Sequence, residues 1–203
     1  MSVEDVGLVA LGYLLGSLPF GYWIPRVLVG TDIRTVGSGG TGATNVWRAF
    51  GFKLGLTVAF LDIAKGAAAA LIARYFADDL VAVLAGLAAM LGHARPIFLR
   101  FAPGGKAVAT LGGVGLALAP FATLSAAVVW IVVFLVFRYA SVASIAAAVA
   151  LPVLASVFDA STPVLVFTIA AGVAVIALHH KNIRRLRAGT EHRIRLRRRA
   201  VAA

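Results

Sequence analysis

The chain alternates between long apolar stretches and two polar, glycine-rich loops. A helix of about 20 apolar residues is long enough to cross the hydrocarbon core of a bilayer, so each stretch predicts a membrane helix. The apolar run from Val108 to Phe137 is too long for one upright helix, and Pro120 divides it in two. We also expect a kink near the middle of the first helix, which is interrupted by Gly16, Ser17, Pro19 and Gly21. The sequence therefore predicts an all-α integral membrane protein with seven transmembrane helices, which cover residues 6–29, 54–74, 80–99, 108–137 (as two helices), 142–158 and 163–180.

The basic residues between these helices predict the orientation of the chain. With seven helices, every basic cluster and the basic C-terminal end fall on one side, and only Arg74 falls on the other. Six helices would place Arg138 and the C-terminal end outside, against the tendency of Lys and Arg to stay in the cytoplasm. The N-terminus is therefore expected outside and the C-terminus in the cytoplasm. Residues 1–183 form the predicted membrane domain, with cytoplasmic loops 30–51 and 92–110, and residues 184–203 form a basic cytoplasmic tail.

Composition agrees with a membrane protein and excludes several kinds of chemistry. Of the 203 residues, 61% are hydrophobic, and the mean hydropathy is +0.96. The chain has no cysteine, and its histidines lack carboxylates at ligand spacing, so we expect no metal and no cofactor. Nine of the 19 Lys and Arg residues lie at or beyond Lys181, which favours contact with anionic lipid headgroups over nucleic-acid binding. The acidic start, MSVED, also differs from a cleavable signal peptide.

The first polar loop, from Gly37 to Arg48, has the composition of an anion site. Glycines such as Gly37 and Gly39 let backbone N–H groups converge on an anion, because no Cβ keeps the ligand away. Thr44 or Asn45 would cap a short helix whose N-terminus adds a partial positive charge. Arg48 would bind phosphate through two N–H groups at once. The alternative for this loop alone is a flexible connector.

The second polar loop again places two glycines beside a cation. Gly104, Gly105 and Lys106 stand at the start of a predicted helix, an arrangement that suits a phosphate dianion. Lys106 as an anchor that fixes the topology is the alternative. His93 follows the third apolar stretch, where a substrate-binding role and a structural role are both open.

Two further groups of polar residues lie at or within the apolar stretches. His179 and Asn182 end the last stretch and are followed by Glu191, so they suit the orientation of a hydroxyl or an acyl carbonyl. A polar helix end is an equally good interpretation of this group alone. Asp62 and Lys65 lie one turn apart inside the second stretch, and we interpret them as a structural ion pair.

The chain lacks the usual signatures of nucleophilic acyl transfer. It contains neither a His-x4-Asp spacing nor a Gly-x-Ser-x-Gly elbow. An enzyme of this kind depends on positioning and electrostatics and needs an activated substrate. A membrane carrier for an organophosphate is an alternative from another class. The missing repeat between the two halves, and polar groups gathered at one face, count against it.

Taken together, the motifs resemble one family, the bacterial acyl-phosphate:glycerol-3-phosphate acyltransferases. The resemblance implies a seven-span enzyme of the bacterial plasma (inner) membrane with its site on the cytoplasmic face. It implies transfer of a fatty acyl group from acyl phosphate to the 1-hydroxyl of glycerol 3-phosphate, with lysophosphatidate and phosphate as products. No obligate protein partner is evident. The motifs are GSLPFG (16–21), GTDIRTVGSGGTGATNVWRAFG (30–51), DIAKG (62–66), GHARPIFLRFAPGGKAVAT (92–110) and HHKNIRRLRAGTE (179–191).

The resemblance also implies roles for individual residues. It makes Ser38, Arg48, His179 and Asn182 catalytic, the loop Gly104–Lys106 a glycerol-phosphate site, and Glu191 structural. Two positions depart from the family pattern: Gly40 replaces an asparagine, and Ala107 replaces a glycine. A non-catalytic relative, or one with another acceptor, is the alternative that these departures raise.

The chemistry of a mixed anhydride leads to a mechanistic hypothesis. Phosphate is a good leaving group, so no acyl-enzyme intermediate is required. Arg48 and Lys106 are expected to bind the two phosphates, in an order that the sequence leaves open. Ser38 and Asn182 would orient the attacking hydroxyl and the reacting carbonyl. His179 is the candidate general base, with the departing phosphate oxygens as the other proton acceptor.

Overall fold

Residues 1–194, which the computed structural model describes, fold entirely into helices and connecting loops, as the sequence predicts. Single 3₁₀ turns at Ile33–Thr35 and Ile97–Leu99 lie in the two polar loops. Of the predicted basic tail, residues 195–203 lie outside the described residues. The α-helices are α1 (Val3–Gly16), α2 (Phe20–Val29), α3 (Ala43–Phe50), α4 (Phe52–Phe76), α5 (Asp79–Ala94), α6 (Val108–Leu118), α7 (Pro120–Phe137), α8 (Ala140–Val157), α9 (Thr162–Leu178) and α10 (His180–Arg187).

Several of these helices are long and apolar enough to cross a membrane. Within residues 1–194 there are five such stretches, with α1 and α2 counted together, and six if α9 and α10 form one crossing bent by 55°. The other predicted crossing is α6, which has only 11 residues. A helix of that length reaches about 17 Å, whereas the hydrocarbon core measures about 30 Å. The chain is a multi-pass membrane protein, and the total of seven crossings stays a prediction.

Both predicted interruptions of the helices are confirmed. α1 ends at Gly16 and α2 begins at Phe20, and between them the Leu18 carbonyl accepts a hydrogen bond of 2.8 Å from Lys65 Nζ. The carbonyl that the break frees is therefore satisfied within the bundle. Pro120 occupies the first position of α7, where its missing N–H leaves no helical bond unmade.

Small residues let the helices approach closely. Gly12 and Gly16 of α1 lie so near the Ala85 and Ala89 backbone of α5 that a methyl group at either glycine would overlap it. Membrane helices associate through such close packing, since lipid offers apolar side chains no less favourable an environment than a partner helix does.

The short helix α6 runs beside α4 in the same direction. Thr110, at the start of α6, lies against Gly66 in the middle of α4. Towards the other end, Arg74 Nη1 donates to the Ala117 carbonyl at 3.1 Å. The helix α6 therefore begins near the middle of α4, and the glycine-rich loop before it lies at the depth of the first half of α4.

Contacts between helix ends divide the bundle into two faces. At one face, the Asp79 carboxylate lies 3.4 Å from Arg74 Nε and accepts a hydrogen bond of 2.7 Å from Ser161 Oγ. At the other face, the Ile194 N–H donates to the Arg138 carbonyl at 2.9 Å. This second bond places the segment Thr190–Ile194 across the α7–α8 connection and next to the polar loops.

Candidate active site

The first polar loop is organised by one buried amide. Asn45 is 4% exposed, and its Oδ1 accepts the Ser38 N–H at 3.0 Å. Its Nδ2 donates to the carbonyls of Val36 and Gly40 at 3.0 and 2.9 Å. The predicted short helix is present as α3, but the prediction of its cap was wrong: Gly42 is the N-cap, and no side chain caps the helix. Asn45 shapes the loop instead, and all its polar atoms are used in doing so.

Glycine is required at two positions of the same loop. Gly37 and Gly39 have φ angles of 60° and 71°, a region that side chains with a Cβ rarely adopt. Thr44 stands half-buried in the first turn of α3, with no hydrogen bond from its hydroxyl to the described residues. Its role in substrate binding stays a prediction.

Ser38 and Arg48 line one cleft of about 170 Å³, together with the segment at His192. Arg48 Nη2 donates to the His192 carbonyl at 2.9 Å, whereas its buried Nε has no partner among the described residues. Burial lowers the pKa of Arg48, an effect that Glu191 opposes and Arg185 strengthens. A half-satisfied guanidinium in a cleft is ready to bind an anion.

The second polar loop uses its predicted donors internally. The N–H groups of Gly104 and Gly105 donate to the carbonyls of Ala94 and His93 at 3.0 and 3.2 Å. They close a turn on the end of α5, so these two N–H groups are used within the chain, and a role of Gly104 and Gly105 in phosphate binding stays a prediction. The first N–H groups of α6 lack intrahelical partners, as at any helix start, and no side chain caps them. The backbone donors of this region that remain available to an anion are therefore those at the start of α6.

Lys106 stands directly before these donors in a crowded basic environment. Burial lowers its pKa to about 8, Glu191 acts in the opposite direction, and the cations Arg185 and Arg48 lower it further. Contacts show that the two polar loops and the segment after α9 meet in one region, since Arg48 bonds to the His192 carbonyl and Gly40 lies beside Gly104. The three segments are remote in sequence, and their meeting agrees with the expectation that the polar groups gather at one face.

Glu191 joins that third segment to α8 through a buried network. Its Oε1 accepts from Asn182 Nδ2 at 2.7 Å and from Ser141 Oγ at 2.9 Å, and its Oε2 accepts from Arg185 Nε at 2.7 Å. Burial raises the pKa of Glu191, but these three hydrogen bonds and the charge of Arg185 outweigh it, so the pKa is lowered overall. Asn182 Oδ1 is buried and has no partner in the described part of the chain.

Ser141 and Arg185 were missed by the sequence analysis. Arg185 lies inside a quoted motif, and its position three residues after Asn182 was the only available signal. Ser141 carries no signal at all, because an isolated serine at the start of an apolar helix is common and only the tertiary fold brings it to Glu191.

His179 is held in one tautomer. The residue is 3% exposed, and its Nδ1 lies 2.7 Å from the Val175 carbonyl, which can only accept a hydrogen bond. The Nδ1 atom therefore carries the proton in the neutral ring, and Nε2 carries the free lone pair. This geometry fits a proton acceptor.

Asp62, Lys65 and His93 form a separate cluster inside the bundle. Lys65 Nζ lies 2.7 Å from Asp62 Oδ1, as the predicted ion pair requires. His93 Nδ1 lies 3.4 Å from the same oxygen, a contact that the sequence analysis did not foresee. His93 also touches the second loop, because its ring lies against Gly105.

The model of one protein family, described as glycerol-3-phosphate acyltransferase, matches residues 6–189. The chain belongs to the glycerol-3-phosphate acyltransferase family. It is 46% identical to the glycerol-3-phosphate acyltransferase of Synechococcus sp. (strain JA-3-3Ab), over 90% of both chains. It is also 46% identical to that of Aquifex aeolicus (strain VF5), over 92% of this chain and 97% of the relative.

Solved structures of the glycerol-3-phosphate acyltransferase family have the same fold. The chain resembles the crystal structure of PlsY, an integral membrane glycerol 3-phosphate acyltransferase, in its glycerol 3-phosphate form, with a TM-score of 0.90 and 44% identity. The lysophosphatidic acid form gives a TM-score of 0.87 and 41% identity. Both alignments cover 95% of this chain and 96% of the other.

The two departures from the pattern of the glycerol-3-phosphate acyltransferase family occupy different environments. Ala107 is fully buried and has a φ of 57°, so this position is one where glycine is the unstrained residue. Gly40 has an ordinary φ, and a Cβ there would stand 3.7 Å from Ser38 Oγ and 3.9 Å from the Gly104 carbonyl. A side chain at position 40 would therefore enter the space between the two polar loops.

Proposed function

We propose that this protein transfers a fatty acyl group from acyl phosphate to the 1-hydroxyl of glycerol 3-phosphate, giving lysophosphatidate and phosphate. The observation that carries the proposal is the meeting of two half-buried cations, Arg48 and Lys106, in the region of Ser38 and Asn182. The reaction brings together two phosphate-bearing substrates, and a half-buried cation for each offsets the repulsion between them.

The groups around the two cations suit an attack without an acyl-enzyme intermediate. Asn182 Nδ2 is fixed by Glu191, and its free Oδ1 is an acceptor for the hydrogen of the attacking hydroxyl. Ser38 lines the same cleft as Arg48 and serves to orient the reacting carbonyl. These assignments rest on the unpaired acceptor and on the shared cleft.

The reaction then forms one bond and breaks another. The hydroxyl oxygen bonds to the acyl carbon, and the bond from that carbon to the phosphate oxygen breaks as phosphate leaves with the electron pair. The hydroxyl proton passes to His179 Nε2, whose lone pair is free in the tautomer described above, or to the departing phosphate. Whichever of Arg48 and Lys106 binds the acyl phosphate stabilises the charge that gathers on the leaving phosphate.

The membrane topology of seven crossings, with the N-terminus outside and the site on the cytoplasmic face of the plasma membrane, is part of the proposal. The same direction of α4 and α6 supports it, as does the gathering of Arg74, Ala117 and Ser161 at one face. Because α6 is too short to cross the membrane alone, the glycine-rich loop before it, which lies at the depth of α4, completes the crossing. Irregular backbone is tolerated at that depth where protein surrounds it.

Single cysteines test this topology, since the chain has none of its own. Ser2→Cys and Ala188→Cys are both at exposed positions. In intact cells, a membrane-impermeant maleimide should label Ser2→Cys alone, and Ala188→Cys should react only after the membrane is permeabilised. Labelling of both from the same side would contradict an odd number of crossings.

Phosphate release by the purified protein in lipid tests the reaction. Palmitoyl phosphate with glycerol 3-phosphate should give phosphate and lysophosphatidate, and omission of the acceptor should stop both. Release without acceptor would indicate a hydrolase or another acceptor. Binding of glycerol 3-phosphate without release would favour a non-catalytic relative.

Three truncations test the location of the site. Ser38→Ala, Arg48→Ala and Lys106→Ala should each lower kcat/KM by about 100-fold or more, as loss of a positioned donor does in other enzymes. Arg34→Ala is the matched control, because Arg34 is an exposed cation paired with Asp32 in the same loop. Near-wild-type kinetics in all three variants would place the site elsewhere.

A further inference from the structure

The cluster of Asp62, Lys65 and His93 has no role in the proposed reaction, yet it is almost fully buried. The three residues are 2%, 5% and 7% exposed. Ionisable groups inside a membrane bundle are expensive unless they are paired. A buried ion pair is a weak source of stability, since apolar residues of similar size often do as well. The presence of the pair therefore asks for an explanation beyond stability.

The cluster reaches the second polar loop through the ring of His93. Asp62 Oδ1 lies 3.4 Å from Nδ1 of that ring. The opposite ring nitrogen, Nε2, lies where a Cβ on Gly105 would stand. The backbone of His93 holds the same turn, because its carbonyl accepts the Gly105 N–H at 3.2 Å. One residue thus fixes Gly105 from two directions.

His93 is itself held from the first helices of the bundle. Lys65 Nζ, which pairs with Asp62, also donates to the Leu18 carbonyl at 2.8 Å. Tyr13 Oη donates to the Arg95 carbonyl, two residues after His93, at 2.7 Å. The end of α5 is therefore fastened to α1 and α4, and it offers the loop a rigid support.

Lys106 follows Gly105 directly and has little freedom of its own. The next residue, Ala107, is fully buried in a left-handed conformation that starts α6. Lys106 is thus fixed between a buried residue on one side and the turn pressed on His93 on the other. We propose that His93, oriented by the Asp62–Lys65 pair, is a positioning residue that holds the Gly104–Gly105 turn and thereby aims Lys106 at a substrate phosphate. This inference rests on the proposed function, because it concerns how that site is supported.

The variant His93→Asn tests the positioning role. An Asn amide nitrogen takes the place of Nδ1 and keeps the contact with Asp62, but it removes the ring edge that presses on Gly105. The variant Lys106→Met first identifies the substrate that Lys106 binds, because the KM for either glycerol 3-phosphate or acyl phosphate should rise. His93→Asn should raise that same KM about tenfold, with kcat within about threefold of wild type and an unchanged thermal unfolding temperature.

A double-mutant cycle separates positioning from a merely structural effect. If His93 acts through Lys106, then adding His93→Asn to the Lys106→Met variant should not raise the KM for that substrate any further. An equal loss in both backgrounds, or a rise in the other KM, would overturn the proposal. Where turnover of the double variant is too slow to follow, the Kd of glycerol 3-phosphate or of inorganic phosphate, measured by calorimetry on the same four proteins, gives the same comparison. Absence of transfer by the wild type would refute the proposed function, and the Kd cycle would still decide the role of His93.

The contact between His93 and Gly105 can be tested from the other side. Gly105→Ala should raise the same KM by about tenfold or more, because the added methyl overlaps the His93 ring. When His93→Ala is combined with Gly105→Ala, the KM should return part of the way to the wild-type value. Gly112→Ala is the matched control, since a Cβ at Gly112 meets no atom within 4 Å. A double variant no better than Gly105→Ala alone would show that the ring is not what restrains the turn.

Discussion

Removal of the Glu191 carboxylate should destabilise the site and the bundle together. Glu191 lies after α10, and its side chain is 1% exposed. The carboxylate ties this segment to α8 through Ser141 and to α10 through Asn182 and Arg185. Glu191→Ala would leave two buried donors without an acceptor and would release the amide that we assign to the acceptor hydroxyl.

The magnitude follows from the three hydrogen bonds. A hydrogen bond to a charged group contributes about 1.5–3 kcal/mol. The bonds from Ser141 and Asn182 are buried, whereas the Arg185 side chain is 29% exposed, so its ion pair is screened and contributes less. Glu191→Ala should therefore cost about 3–6 kcal/mol of stability. Glu191→Gln keeps an acceptor for Ser141 and Asn182 but loses the charge, so it should cost about 1–3 kcal/mol.

The pH dependence of stability gives a second measure of the same group. The pKa of Glu191 is lowered in the folded protein, below its ordinary value of 4.5. Its stabilisation is therefore fully present above 4.5 and is lost as the pH falls through the lower, folded value. The wild type should lose stability in this acidic range, and Glu191→Gln should lose less.

Thermal unfolding in one detergent, combined with acyl-transfer kinetics, measures both effects. Glu191→Ala should unfold at a clearly lower temperature and show reduced kcat/KM, and Glu191→Gln should lie between it and the wild type. Glu4→Gln is the control, because Glu4 is an exposed carboxylate in the first turn of α1. If Glu191→Ala unfolds at the wild-type temperature with unchanged kinetics, the network does not support the site.

Three other substitutions probe the polar loops. The free-enzyme kcat/KM should fall as the pH rises through about 8, where Lys106 loses its proton, and Lys106→Arg should move this limb to higher pH in the same pH–rate profile. Ala107→Gly should change the free energy of unfolding little, and therefore the unfolding temperature little. Relief of about 1–2 kcal/mol of strain is offset by about 0.8 kcal/mol of lost methyl burial and by the greater chain entropy of glycine. A change of about 2 kcal/mol or more in the free energy of unfolding would contradict this. Gly40→Asn should fold normally, since a Cβ there has room, and should change the KM for glycerol 3-phosphate more than the unfolding temperature; equal and large changes in both would show that the position is a packing site.

Local chemistry made much of the fold predictable. Pro120 and Pro19 remove backbone donors wherever they stand, so the breaks at these two residues appear where the sequence places them. The pairing of Asp62 with Lys65 was equally predictable, because residues three apart on a helix share a face and an unpaired charge in a membrane is unfavourable.

The use of individual donors and acceptors was not predictable in the same way. The glycines of the second loop indicate that N–H groups can converge, but not whether a carbonyl already accepts them, and here His93 and Ala94 do so. Asn45 has the chemistry of a cap, yet it bonds to the loop before it rather than to its own helix. These choices depend on distances between segments, which a sequence pattern does not contain.

The short length of α6 links the fold to the chemistry. If α6 crossed the whole hydrocarbon core, Lys106 and the start of the helix would lie at the membrane surface, in contact with water. Instead, α6 begins beside Gly66, midway along α4. The first N–H groups of the helix and the lysine before them therefore lie below the helix ends, partly shielded from solvent. Lower dielectric strengthens their attraction for phosphate and lowers the pKa of Lys106 by the same desolvation. In the proposed reaction, an acyl phosphate keeps its chain in lipid and places its phosphate in this recessed site, and its carbonyl meets the acceptor between them.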